Sequence, residues 1–284
     1  MSGRVSAKGW RFALASVVGT SHQERAQPCQ DWSACRVLSA SSRGNVLVAV
    51  AADGAGSARR AEVGAVLTGS LFLDELATHY ASGGSVRDLS HAFVGDWLSR
   101  LRQEIRTHAE SEGLTVREYA STLVAAVVEE ASAAFLQIGD GAIVVADQHT
   151  PAAYAPVFWP QRGEYANTTY FATDANAADH VEFRRVDDRI DELALLTDGL
   201  QSLALNYQAQ AAHAPFFRPV FAPVRAAPPG HSIDLSTALA SFLGSSRVNA
   251  RTDDDKTLLL ASRRRRDRQR SPRAEVPRPD TSRA

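Results

Sequence analysis

Apolar residues fall along this chain in two rhythms. Short continuous apolar runs, bounded by polar or glycine-rich turns, read as buried strands at residues 10–18, 32–38, 46–52, 121–128, 133–138, 142–146, 192–197 and 257–261, with further strands at 168–173 and 181–186. The second rhythm is helical. Residues 58–80 carry Val63, Val66, Leu67, Leu71, Leu73 and Leu76, and residues 86–112 carry Leu89, Phe93, Trp97, Leu101 and Ile105, with Ser82-Gly83-Gly84-Ser85 as the break. Two adjacent amphipathic helices predict a layer lying over a sheet. Ser57 is the expected N-cap of the first, with Glu62 in its opening turn. The runs at 121–128, 133–138 and 142–146 predict a meander whose last turn is Gly139-Asp140-Gly141. Residues 151–167 read as an irregular loop, 213–230 as an insertion rich in Pro and Phe, and 233–243 as a helix. No internal repeat is present.

Composition narrows the classes. The 284 residues, 44% of them apolar, suffice for a large core, and the formal charge of −1 favours neither nucleic acid nor membrane as a partner. The total hides an asymmetry: the segment from Ser262 to Ala284 holds nine Arg against three acidic residues, a net of +6, so the preceding residues carry −7. We therefore expect a folded domain over 1–261 and a disordered Arg-rich tail over 262–284, which could tether an acidic partner. Cys29 and Cys35 form neither a CxxC pair nor a CxxxxxR phosphate loop. They predict a reducing, cytoplasmic setting. No apolar run reaches the roughly 20 residues of a membrane span, and the basic N-terminus lacks the h-region of a signal peptide.

The chain is organised around residues 46–64. An apolar run ends in Asp53-Gly54, a small-residue turn follows, and a helix begins. The same setting recurs. Gln30-Asp31, Gly139-Asp140-Gly141, Thr197-Asp198-Gly199 and Asp253-Asp254-Asp255-Lys256-Thr257 each place a carboxylate at the edge of a strand. Converging carboxylates repel unless cations neutralise them. Oxygen-only ligands suit hard ions that keep part of their water, so a binuclear Mg²⁺ or Mn²⁺ centre is expected. No His/Cys cluster competes for zinc.

The order and content of these pieces resemble a family. With GTSH…QPCQD, VAVAADGAGS, STLVAAVV, FLQIGDGAIVV, LALLTDGL and DDDKTLLLA in this order, the chain resembles the metal-dependent Ser/Thr protein phosphatases of the PP2C (PPM) type, in their divergent bacterial branch. The resemblance runs over residues 16–261. It implies an α+β fold: a β-sandwich of two antiparallel sheets flanked by long helices, in four αββα layers. It implies that Asp53 bridges two metals, that Gly54 offers its carbonyl oxygen, and that Asp198 and Asp254 bind the second metal. Asp31 would act through water, and Asp140 would serve a third, weaker site. Asp254 is chosen because the family ligand stands three residues before the Thr, here Thr257; Asp253 and Asp255 are expected to be solvated or to support the ligands.

The implied reaction is attack of a metal-bridging water on phosphoserine or phosphothreonine. The implied partner is a phosphorylated protein, a Ser/Thr kinase or its target. The chain departs from the family's better-known members in several places: Gln30 replaces a Glu, DGAGS replaces DGxGG, and Gly141 replaces a Ser. Arg25 and His22 are the candidates for phosphate contact, His22 also for a general acid. Two other readings stand beside this one: a regulatory module that binds phosphoproteins without turnover, and a hydrolase of small phosphomonoesters. Oligomeric state is not written in the sequence.

Overall fold

The structure, a computed structural model, describes residues 9–40, 44–146, 153–161 and 169–263. In chain order the regular elements begin with β1 (Arg11–Val17), α1 (Thr20–Glu24), β2 (Asp31–Ala40), β3 (Gly44–Asp53), α2 (Ala61–Ala81) and α3 (His91–Glu112). The middle of the chain supplies β4 (Leu123–Val128), β5 (Ala133–Ile138), β6 (Ala142–Ala146), β7 (Tyr154–Pro156), β8 (Glu182–Val186) and β9 (Glu192–Leu196). Next come α4 (Gln201–Ala204), β10 (Leu205–Asn206), β11 (Ala211–Ala212), α5 (Ala214–Ala226) and β12 (Gly230–His231). The last three are α6 (Ile233–Leu243), α7 (Ser246–Asn249) and β13 (Lys256–Ser262).

Two large sheets result among the described residues, in the orders β12-β1-β13-β9-β6-β7 and β2-β3-β4-β5-β8, with β10 and β11 forming a separate antiparallel pair. Both are antiparallel except for the edge pair β1/β12, which is parallel. The continuous apolar runs have a physical reason: each central strand is covered on both faces, so neither face needs polar residues. Along β3, Val46, Val48 and Val50 face α2 and α3, whereas Leu47, Ala49 and Ala51 face the opposite sheet. Along β9, Leu193 and Leu195 face the inter-sheet core, and Ala194 and Leu196 face the second helical layer. Helices, two sheets and helices thus form four layers.

The helices follow their sequence signals with some corrections. In α3, Val94, Trp97, Leu98, Leu101 and Ile105 are buried, Ser90 caps the start by accepting from the Phe93 amide, and Gly113 ends the helix at φ +67°. Ser57 does not cap α2, which starts at Ala61. The amides of Arg59 and Arg60 are instead taken by the Glu118 carboxylate and the Glu118 carbonyl, so a distant loop does the capping. Residues 213–230, read as an insertion, hold a helix and the start of β12. Pro215 opens α5, and Phe217, Phe221 and Val224 seat it on the first sheet, with Pro219 and Pro223 inside the helix.

The meander also fails. β6 leaves β5 and joins the other sheet, beside β9. Gly139 makes the corner at φ +100°, where a Cβ would lie 2.6 Å from the Thr122 methyl group. Residues 169–173 form turns rather than a strand, because single bonds (Ala172 N–H to the Ser121 carbonyl, Phe171 N–H to Asp174) replace a ladder. Within the segment read as an irregular loop, Tyr154–Pro156 form β7, paired with β6; residues 151–152, 162–168 and the tail from 264 lie outside the described residues. No described helix is long and apolar enough to cross a membrane.

Candidate metal centre

One end of the sandwich collects the acidic motifs. Asp31 opens β2 and Asp53 closes β3, and antiparallel register sets them side by side. The chain then leaves β3 through Gly54, whose N–H donates to the Gln30 carbonyl, while the Thr122 amide donates to the Asp53 carbonyl at 2.8 Å. In return the Asp53 N–H donates to the Thr122 hydroxyl at 3.1 Å. The β5–β6 corner brings Asp140 to the same end, and Asp198 follows the close of β9. Carboxylate oxygens of Asp53, Asp140 and Asp198 lie within 4.8 Å of one another. Asp254, before β13, is exposed at the rim, yet its charge reaches Asp53, Asp140 and Asp198.

The local sequence makes this convergence sterically feasible. A Cβ on Gly199 would stand 1.9 Å from the Asp255 carbonyl, so only glycine lets the loops bearing Asp198 and Asp254 approach.

Electrostatics mark the cluster as unfinished. Burial raises the Asp31 carboxyl to about 7, against the hydroxyls of Thr197 and Thr257, which pull it down. Asp53 is pushed well above the carboxylate range, first by burial and then by the charges of Asp31, Asp198, Asp140 and Asp254. Asp198 is pushed well up by burial and by Asp140 and Asp254; Asp140 and Asp254 are raised chiefly by burial. Among the described residues none of the five forms an ion pair with Lys, Arg or His.

These residues fit divalent cations on the chain's own geometry. Asp31 Oδ2 accepts from the Thr197 hydroxyl at 2.7 Å and the Thr257 hydroxyl at 2.8 Å, while Oδ1 is buried and has no partner among the described residues. An orphaned, buried carboxylate oxygen beside three clustered carboxylates is a donor set short of positive charge.

Several supporting residues escape the sequence reading. Thr197 and Thr257 belong to the opposite sheet, so their bonds to Asp31 stitch the two sheets together; Thr257 also bonds the Ser16 hydroxyl at 2.7 Å. Asp255 is buried, not solvated, and accepts from the Gly19 and Gln30 amides at 2.6 Å each. It therefore fixes the segment that leads into Asp31. Gln30 takes part through its backbone, so the Glu-to-Gln departure leaves that support in place. The only advance signal for the two threonines was their position next to Asp198 and at the start of the last strand.

His22 and Arg25 separate. His22 is buried on α1, its Nδ1 3.0 Å from Asp255 Oδ2. Arg25, one turn on, is exposed and its Nε donates to the Ser21 carbonyl at 3.1 Å. It touches none of the five carboxylates.

Comparison with known proteins agrees with this geometry. The family model described as Protein phosphatase 2C matches residues 18–244. Serine/threonine-protein phosphatase 3 of Escherichia coli (strain K12) is 36% identical over 252 residues, covering 89% of this chain and 98% of that protein. Among solved structures, a bacterial serine phosphatase superimposes with a TM-score of 0.57 at 15% identity, covering 90% of this chain and 98% of the other. The serine/threonine phosphatase Stp1 from Staphylococcus aureus gives 0.55 at 16% identity over 92% and 99% of the two chains, and these distant likenesses concern the fold. A chain matched along most of its length, with its acidic motifs gathered at one sandwich end, belongs to the protein phosphatase 2C family of metal-dependent serine/threonine phosphatases.

Proposed function

We propose that this chain hydrolyses phosphoserine and phosphothreonine in proteins, opposing a protein kinase whose product or whose own phosphorylated form is the substrate. The observation that carries the proposal is the position of Asp53: half-buried, beside Asp31 in the β2/β3 register, with its carboxylate oxygen within 4.8 Å of those of Asp140 and Asp198. Asp53 is the residue assigned to bridge two Mg²⁺ or Mn²⁺ ions, with the Gly54 carbonyl beside it. Asp198 and Asp254 are assigned to the second ion, Asp31 to support through water, and Asp140 to a third, weaker site. When bound, such ions balance the carboxylates, screen phosphoryl oxygens and acidify water near neutral pH.

The chain's own residues supply the rest. Thr197 and Thr257 orient Asp31 and favour its ionised form against the effect of burial. Thr122 fixes the backbone of Asp53, and Asp255 fixes both Gln30 and His22. His22 and Arg25 are the groups assigned to phosphate oxygens. His22 has the firmer support, since it is buried with Nδ1 3.0 Å from Oδ2 of Asp255, the residue that also holds the segment leading into Asp31.

The test is hydrolysis of p-nitrophenyl phosphate and of a phosphothreonine peptide with Mn²⁺, with Mg²⁺ and with chelator. Activity should need the metal and collapse in Asp53→Ala and Asp198→Ala. Full turnover in chelator would remove the mechanism, and metal binding without turnover of either ester would favour the regulatory module.

A further inference from the structure

Beside the metal centre lies a groove of about 820 Å³ between α4, α5, α6 and α7. Its floor is apolar, with Leu203, Phe216, Val220 and Phe242, and its rim carries His213, Arg247 and Arg251. No Asp or Glu lines it among the described residues. That is notable in a chain whose first 261 residues carry a net −7. Arg247 and Arg251 are exposed, and neither enters an ion pair with a described residue. Val220 and Phe242 also wall an adjoining apolar pocket of about 190 Å³, so the floor continues beneath the helices. Two half-exposed aromatic side chains, Tyr207 and Phe242, stand at its surface.

The groove is joined to the reaction site by short chain segments. Its wall at Ser202–Tyr207 begins four residues after Asp198, and Arg251 stands three residues before Asp254. Ser202 Oγ donates to the Arg251 carbonyl at 3.5 Å, so the two walls meet. Gln201 donates through Nε2 to the Asp140 carbonyl, and the Tyr207 hydroxyl bonds Gln201 Oε1. A peptide whose phosphorylated residue sits at the carboxylate cluster would carry its flanking residues along this wall.

We propose that the groove docks the flank of the phosphoprotein substrate, and that the flank it selects is acidic with interspersed apolar side chains. The proposal rests on the phosphatase reading above and adds a substrate class to it. Charge complementarity carries the choice: a bare acidic centre repels an acidic peptide, and a local pair of uncompensated arginines is what would draw one in. The apolar floor gives side chains such as Leu or Phe a place out of water.

The experiment compares two phosphothreonine peptides, one with Asp/Glu and Leu in its flanks and one with Lys and Gly. It uses the full chain with Mn²⁺, and p-nitrophenyl phosphate reports on the metal centre alone. The parent should favour the acidic–apolar peptide at least tenfold in kcat/KM. Arg247→Glu and Val220→Asp should each erase that preference through KM, with p-nitrophenyl phosphate turnover changed less than twofold. Equal kcat/KM for both peptides in the parent would overturn the proposal, as would a preference that survives both substitutions. If p-nitrophenyl phosphate is not turned over, the phosphatase reading itself has failed. The groove is then tested by fluorescence anisotropy of the unphosphorylated acidic–apolar peptide. Binding lost in Arg247→Glu supports the docking role, and no binding to the parent refutes it.

Discussion

At the end of the sandwich where β9 begins and β13 finishes, Glu192 is completely buried and fully answered. Arg225 donates to both of its oxygens, at 2.6 and 2.7 Å, and the Ser262 hydroxyl adds a third bond at 2.8 Å. Glu129 at the same end receives the Tyr80 hydroxyl, the Val86 amide and the Ser132 hydroxyl. At the other end Asp31, also buried, is left with an oxygen that has no partner among the described residues, amid four further carboxylates that no described Lys, Arg or His pairs. Glu192 and Asp31 are both buried carboxylates; their partners differ. A folding requirement alone accounts for the first arrangement; the second is what a site that takes a cation requires.

The sharpest way to break this contrast is to delete one carboxylate from each end. Asp53→Ala should lower Mn²⁺-dependent p-nitrophenyl phosphate turnover by at least about a thousandfold. Its metal-free melting temperature should hold or rise, because one of several crowded, mutually repelling carboxylates is gone. Glu192→Ala should do the reverse. It leaves the Arg225 guanidinium partly buried without its counter-charge and costs about 2–4 kcal/mol in chemical denaturation, while kcat/KM per folded molecule stays within about twofold of the parent. A catalytic loss in the second variant, or a melting loss in the first, would show that the two ends are not different in kind.

Acidity sharpens the contrast further. The folded chain holds a proton on Asp31, at about 7, that the unfolded chain releases near the ordinary 3.8. A raised carboxyl makes the metal-free fold lose stability as pH rises through that window. A bound divalent ion keeps the carboxylate ionised and removes the loss. The rise in melting temperature produced by Mn²⁺ over chelator should therefore grow between about pH 5 and pH 8. A rise that is flat with pH would count against the cluster as the binding site.

The smallest effect is expected at the stitch between the sheets. Thr257→Val removes one hydroxyl from Asp31 and should cost about 1 kcal/mol. Because that hydroxyl favours the ionised form, the acid limb of the kcat/KM profile should move to higher pH. An unchanged limb with normal stability would mean that Asp31 does not govern the active form.

The four-layer plan was legible because burial on both faces writes long apolar runs, and because α3 writes an unbroken helical stripe from Val94 to Ile105. All five carboxylates were legible too, since each sits where an apolar run meets a turn. Other features were not. β6 reads as the third strand of a meander, but only the backbone at Gly139 shows that it turns the corner into the other sheet. The α5 segment, with Pro215, Pro219 and Pro223, reads as a loop by local preference. Three apolar side chains against the first sheet outweigh the helix bonds that its prolines give up.

What the sequence determined by itself was therefore the alternation of strands and helices and the identity of the acidic groups, because both depend on neighbours a few residues away. Tertiary structure alone decided which carboxylates are answered and which are bare. That distinction rests on atoms more than a hundred residues apart: Thr197 and Thr257 against Asp31, Asp255 against Gly19 and Gln30. No local pattern encodes such pairings; the packing of one sheet on the other does.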